Sequence, residues 1–62
     1  MVIVKVHMMQ GRTSEQKRKL IARITDVVQE AVGVPSRDVR VLLLEIAPDA
    51  WGIGGVPASF RS

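Results

Sequence analysis

The chain has 62 residues, nine of them basic and six acidic for a formal net charge of +3, and 47% are hydrophobic. It is too short to bury a self-sufficient core easily, and with no cysteine it has neither a disulfide nor a thiolate metal site as a staple, which leaves oligomerisation. The composition is too apolar for a disordered tail, and the modest positive charge suits small anionic substrates at least as well as nucleic acid.

Residues 1–9 alternate, with Val2, Val4, Val6 and Met8 on one face and Ile3, Lys5, His7 and Met9 on the other, which predicts a half-buried strand. Gln10-Gly11-Arg12 breaks the alternation. Thr13 followed by Gln16 is a capping-box signature for a helix beginning at Ser14. Leu20, Ile24, Val27, Val28, Ala31 and Val32 form its apolar stripe, with Arg18, Arg23, Asp26, Glu30 and Lys17 largely outside it. Gly33 suits a left-handed helix end, and Pro35 prevents resumption.

A second strand is expected over Val39–Ile46, after Asp38. Val39, Val41 and Leu43 fall on one face and Leu42, Leu44 and Ile46 on the other, so both faces are mostly apolar, as in a strand covered on both sides. One helix covers one face, and the other is expected to meet another subunit. A crossover of about thirty residues favours two parallel strands joined by a right-handed connection. After Pro48-Asp49 the chain turns through Trp51-Gly52-Ile53-Gly54-Gly55 and ends in a short hairpin or arm, where Pro57 argues against a long central strand.

No apolar run reaches the length of a membrane span, since Arg40 and Glu45 interrupt the longest candidate. Met1 to Met9 is too short and too charged for a signal peptide, so the chain is read as cytoplasmic, with no membrane partner. Lys17, Arg18, Lys19 and Arg23 form the basic cluster; without interleaved aromatics and with acidic neighbours it reads as a solvated helix face. His7 is assigned to surface or interface, Met8 and Met9 to packing. The glycine run matches neither GxGxxG nor a Walker motif, and Gly52, Gly54 and Gly55 are expected to be turn glycines with positive φ.

The run from Met1 through His7, then Gln10-Gly11-Arg12-Thr13-Ser14-Glu15-Gln16-Lys17, Val39-Arg40-Val41 and Trp51-Gly52-Ile53-Gly54-Gly55 together resemble the 4-oxalocrotonate tautomerase family over almost the whole chain. The resemblance implies an α/β (α+β) fold: one tautomerase-like domain over residues 1–62, a β-α-β protomer that dimerises into a four-stranded sheet, and three such dimers in a hexamer. It also implies a reaction that moves a proton along a conjugated 2-oxo or 2-hydroxy dicarboxylate, with no cofactor. The base in the family is an N-terminal proline. An α-amino group suits that role because its reference pKa of about 7.7–8.0 falls towards neutrality when buried among apolar groups.

Here Val2 stands in the proline's place. If Met1 is removed, Val2 presents a primary amine that accepts a proton and also forms imines with oxo substrates. If Met1 is kept, which is the expectation, the Val2 nitrogen is a non-basic amide. By the resemblance Arg12 binds the distal carboxylate, Arg40 binds the 2-oxo group and nearby carboxylate and stabilises the dienolate, and Trp51 forms the aromatic wall. Each has a plainer role to set beside this. Arg12 suits a loop arginine pairing with solvent or Glu15; Arg40 suits a salt bridge to Glu45 or Asp49 of a neighbour; Trp51 suits a core or interface anchor.

The sequence therefore reads as a subunit of a heterohexameric tautomerase acting on 2-hydroxymuconate-type 2-oxo dicarboxylates, with a homologous proline-bearing subunit supplying the base. The alternatives are a self-sufficient or engineered homohexamer using the Val2 amine, a non-catalytic structural subunit, and a basic nucleic-acid-binding module, which the strand-helix-strand order disfavours.

Overall fold

Val2–Met9 forms strand β1, Ser14–Val32 helix α1 and Val39–Ile46 strand β2, in the computed structural model, which describes residues 1–60. The two strands run parallel, in register from Val2 opposite Val39 to Met9 opposite Ile46. Gln10 N–H extends the ladder by donating to the Ile46 carbonyl at 3.0 Å. The β-α-β order read from the sequence is the order observed.

Local chemistry sets the limits of α1. Thr13 is extended at φ −72° and ψ 161°, its Oγ1 accepts from Gln16 N–H at 3.1 Å, and its own N–H donates to Gln16 Oε1 at 2.9 Å. Both halves of the capping box are thus made, satisfying donors that a helix start otherwise leaves open. Gly33 closes the helix in the left-handed region at φ 78°, its N–H donating to Gln29 O at 2.9 Å. A short 3-10 turn over Ser36–Asp38, which the sequence reading did not separate, leads into β2.

The helix covers one sheet face, and the side chains divide accordingly. Along β1, Val2, Val4, Val6 and Met8 are half-buried while Ile3, Lys5 and His7 are exposed. On β2 the same alternation leaves Leu42 46% exposed and Leu44 similarly open, next to Ile3 at 56%. The second apolar face of β2 is therefore bare in the single chain. Val39, at 7%, is the one buried residue among those described.

Two expectations about α1 need correction. Val27 and Val32, placed on the apolar stripe, are 63% and 58% exposed, and Ala31 is exposed too. Leu20, Ile24 and Val28 carry the contact instead, because a single helix over two strands covers a narrower arc than the apolar residues span. Lys17, grouped with the solvated basic cluster, lies on the sheet side and pairs with Glu45 of β2 at 2.9 Å. It sits three and seven residues before Leu20 and Ile24, on their side of the helix.

Beyond β2, a 3-10 turn over Pro48–Ala50 leads to a hairpin of β3, Gly52–Ile53, and β4, Val56–Pro57. Gly54 and Gly55 form its two-residue turn with φ of 60° and 87°, the conformation that matches strand twist and that side-chain-bearing residues resist. Gly52 differs from the expectation: it lies in β3 rather than in a positive-φ turn, whereas Gly11, at φ 129°, does require glycine. The hairpin packs mainly on the turns that flank it, giving extents of 42 × 23 × 14 Å and a radius of gyration of 14.6 Å. A compact chain of this length has a radius near 10.6 Å. The accessible surface of 4755 Å² likewise exceeds, by roughly 800 Å², the value of about 4,000 Å² for a compact monomer of this mass.

Candidate active site

The sequence singles out Val2, Arg12, Arg40 and Trp51, and the parallel topology separates them. Val2 opens β1, opposite Val39, and is half-buried under the helix side of the sheet. Arg40 stands opposite Ile3, on the bare face, one ladder step from Val2. Its guanidinium reaches the end of the strand, where Nη1 donates to the Arg37 carbonyl at 2.6 Å and, more weakly, to that of Val39 at 3.4 Å. These contacts hold one edge of the fork and leave the other donors open to an anion.

Arg12 lies at the opposite end. It follows the last β1–β2 hydrogen bond and immediately precedes the Thr13 cap, so the loop that carries it is tied at both sides. Along β1 the two ends are about 23 Å apart, far beyond the reach of one side chain. Arg12 lines a cavity of about 220 Å³ with Met8, Gln16, Lys17 and Leu20. Met8 and Leu20 supply an apolar floor. Gln16 is held by the capping box and Lys17 by Glu45, which leaves the Arg12 guanidinium as the cation of the rim without a carboxylate partner among the described residues.

Among the described residues neither arginine has a carboxylate partner. Glu15, the local candidate for Arg12, lies 4.0 Å from Lys19, and Glu45, a candidate for a neighbour's Arg40, is already engaged by Lys17 of its own chain. Two unpaired guanidiniums on exposed positions are available to anions. Trp51 is half-buried at the base of the hairpin, its backbone N–H donating to Pro48 O at 3.3 Å and its backbone carbonyl accepting from Ala58 N–H at 2.7 Å. It lines neither the Arg12 cavity nor a second one, of about 250 Å³, formed by Val4, Arg23, Ile24, Val27 and Val28.

The Lys17–Glu45 pair was missed in the sequence. The available signal was that both residues share the period of their covered faces: Lys17 with Leu20 and Ile24, Glu45 with Leu43.

A parallel β-α-β unit with a C-terminal hairpin, one arginine near the start of β2 and another just past the end of β1, defines a small α/β scaffold with a cation at each end of its strand pair. The chain belongs to the tautomerase family, an isomerase family whose model, described as tautomerase enzyme, matches residues 3–61. It is 41% identical over 58 residues to a 2-hydroxymuconate tautomerase of Comamonas testosteroni, covering 94% of this chain and 92% of that one. A 2-hydroxymuconate tautomerase of Pseudomonas putida is 38% identical with the same coverage. Among solved structures, a 4-oxalocrotonate tautomerase homologue superposes with a TM-score of 0.93 at 40% identity, covering all of this chain and 98% of that one. A heterohexamer 4-oxalocrotonate tautomerase from Chloroflexus aurantiacus superposes with a TM-score of 0.92 at 29% identity, each chain covered in full.

Proposed function

We propose that this chain, as a single domain over residues 1–62, is one subunit of a cytoplasmic heterohexameric tautomerase that ketonises 2-hydroxymuconate-type 2-oxo dicarboxylates. A homologous subunit bearing an N-terminal proline supplies the base. The observation that carries this reading is Val2 at the head of β1: the three prolines of the chain are Pro35, Pro48 and Pro57, all remote from that position. Position 2 therefore cannot yield a secondary amine, while both arginines of the resemblance are retained.

In this reading the partner's proline amine, kept weakly basic by an apolar surrounding, removes the proton of the substrate's 2-hydroxyl group and returns it to a carbon of the conjugated system. The electron pair left on oxygen spreads along the diene, and protonation at carbon leaves that oxygen as the 2-oxo group. Arg40 donates to that oxygen and the adjacent carboxylate, which favours the dienolate over the neutral ketone because its negative charge meets a fixed cation. Arg12 holds the distal carboxylate and sets which carbon faces the amine. Trp51 closes an apolar wall over the amine.

The separation of Arg12 from Arg40 supports assembly of each pocket from several subunits, as does the bare face carrying Ile3, Leu42 and Leu44. A heterohexamer with the same protomer fold is a precedent for such a hetero-oligomer.

The deciding experiment purifies this chain alone and together with a proline-bearing homologue, and follows 2-hydroxymuconate ketonisation in each. Turnover confined to the mixture is the expected result. Full turnover by the chain alone, with mass spectrometry showing Val2 at the N-terminus, would establish the Val2 amine as the base and remove the need for a partner.

A further inference from the structure

Lys17 and Glu45 are 28 residues apart in sequence and 2.9 Å apart in space, joining the start of α1 to the C-terminal end of β2. Both side chains are about 30% exposed, so the pair is neither fully screened nor fully desolvated. Lys17 also lines the cavity that carries Arg12. The cavity thus borders two cations, of which one is already matched by a carboxylate.

We propose that the Lys17–Glu45 pair sets the charge of the cavity that Arg12 lines. This rests on the reading of Arg12 as the residue that binds the distal carboxylate. The loop that carries Arg12 is tied on its own account, by the Gln10–Ile46 hydrogen bond on one side and the Thr13–Gln16 capping box on the other. The pair withholds the Lys17 ammonium, so that the cavity presents one uncompensated positive charge and matches a single carboxylate. Glu45 is thereby a specificity-determining residue that need not touch the substrate.

The two halves of the pair then have opposite effects. Neutralising Glu45 releases an ammonium into the cavity and strengthens the hold on an anionic end. Neutralising Lys17 leaves the Glu45 carboxylate without its partner, next to a residue that lines the cavity, where its charge opposes an anionic substrate. A brace that served only stability would be weakened in the same direction by either change.

The test measures kcat and KM for 2-hydroxymuconate in the assembled complex with Glu45→Gln, Lys17→Gln and the double substitution. A parallel series uses a 2-hydroxydienoate that lacks the distal carboxylate. The expected result is a KM for the dicarboxylate lowered about two- to five-fold by Glu45→Gln and raised by a similar factor by Lys17→Gln. The double substitution, which removes both charges together, returns KM close to the unsubstituted value, and the substrate lacking the distal carboxylate shows no such split. Shifts in the same direction from both single substitutions, or no shift in either, would overturn the proposal. Arg12→Ala reads the underlying assignment separately. A raised KM there with same-direction shifts at Lys17 and Glu45 removes only the pair's role, whereas an unchanged KM removes the role of Arg12 itself.

Discussion

Ile3 and Arg40 stand opposite one another in the parallel ladder, which fixes a guanidinium on the bare face of the sheet one step from Val2. The residue that opens β1 and the cation on β2 therefore share one end of the sheet as a consequence of strand register. Because that end carries no carboxylate paired to Arg40 among the described residues, the cation is available to a substrate or a neighbouring subunit.

Arg40→Ala is expected to leave the protomer folded. The side chain is exposed and its hydrogen bonds go to the Arg37 and Val39 carbonyls, a contribution of about 1 kcal/mol or less. Turnover in the complex should fall on the order of 10²–10³-fold, the loss typical of removing a donor that stabilises a developing oxyanion. Unchanged turnover with intact assembly would assign Arg40 to a scaffold role.

Val2→Pro tests the missing base directly. Proline is tolerated as the first residue of a strand, so β1 should form as before. With the N-terminus verified by mass spectrometry as the free proline, the chain by itself is expected to gain turnover by about 10²-fold or more, in line with the contribution of a positioned general base. No gain in a preparation that assembles normally would show that more than the amine is absent from this chain.

Leu44→Glu places a charge on the bare face without touching the helix-covered one. Assembly is expected to fail, read by sedimentation as a shift to smaller species, and the melting temperature should drop and lose its dependence on protein concentration. Retention of the full assembly would show that this face is not an interface.

Thr13→Ala removes one half of the capping box and should cost about 1 kcal/mol of stability in denaturant titrations. Since the cap also borders Arg12, KM for the dicarboxylate should rise while kcat changes little. A loss of stability with KM unchanged would separate the cap from the position of Arg12.

Much of the fold is legible from near neighbours in the chain. Thr13 and Gln16 are three residues apart and cap one another; Gly33 ends the helix because of its own φ preference; and the alternation from Val2 to Met8 needs only a period of two. The opposed placement of Arg12 and Arg40 also follows once the strands are parallel, since one arginine comes after the first strand and the other is the second residue of the second.

Tertiary structure alone decided the rest. Which of the apolar residues on α1 are covered depends on where a helix about 10 Å across settles over only two strands, so Val27 and Val32 remain open despite their pattern. The Lys17–Glu45 contact depends on helix rotation and strand register acting together, which no local window contains. Whether an arginine is free or paired is likewise a matter of distances across the fold, because a charge is matched by what lies near it in space rather than in sequence.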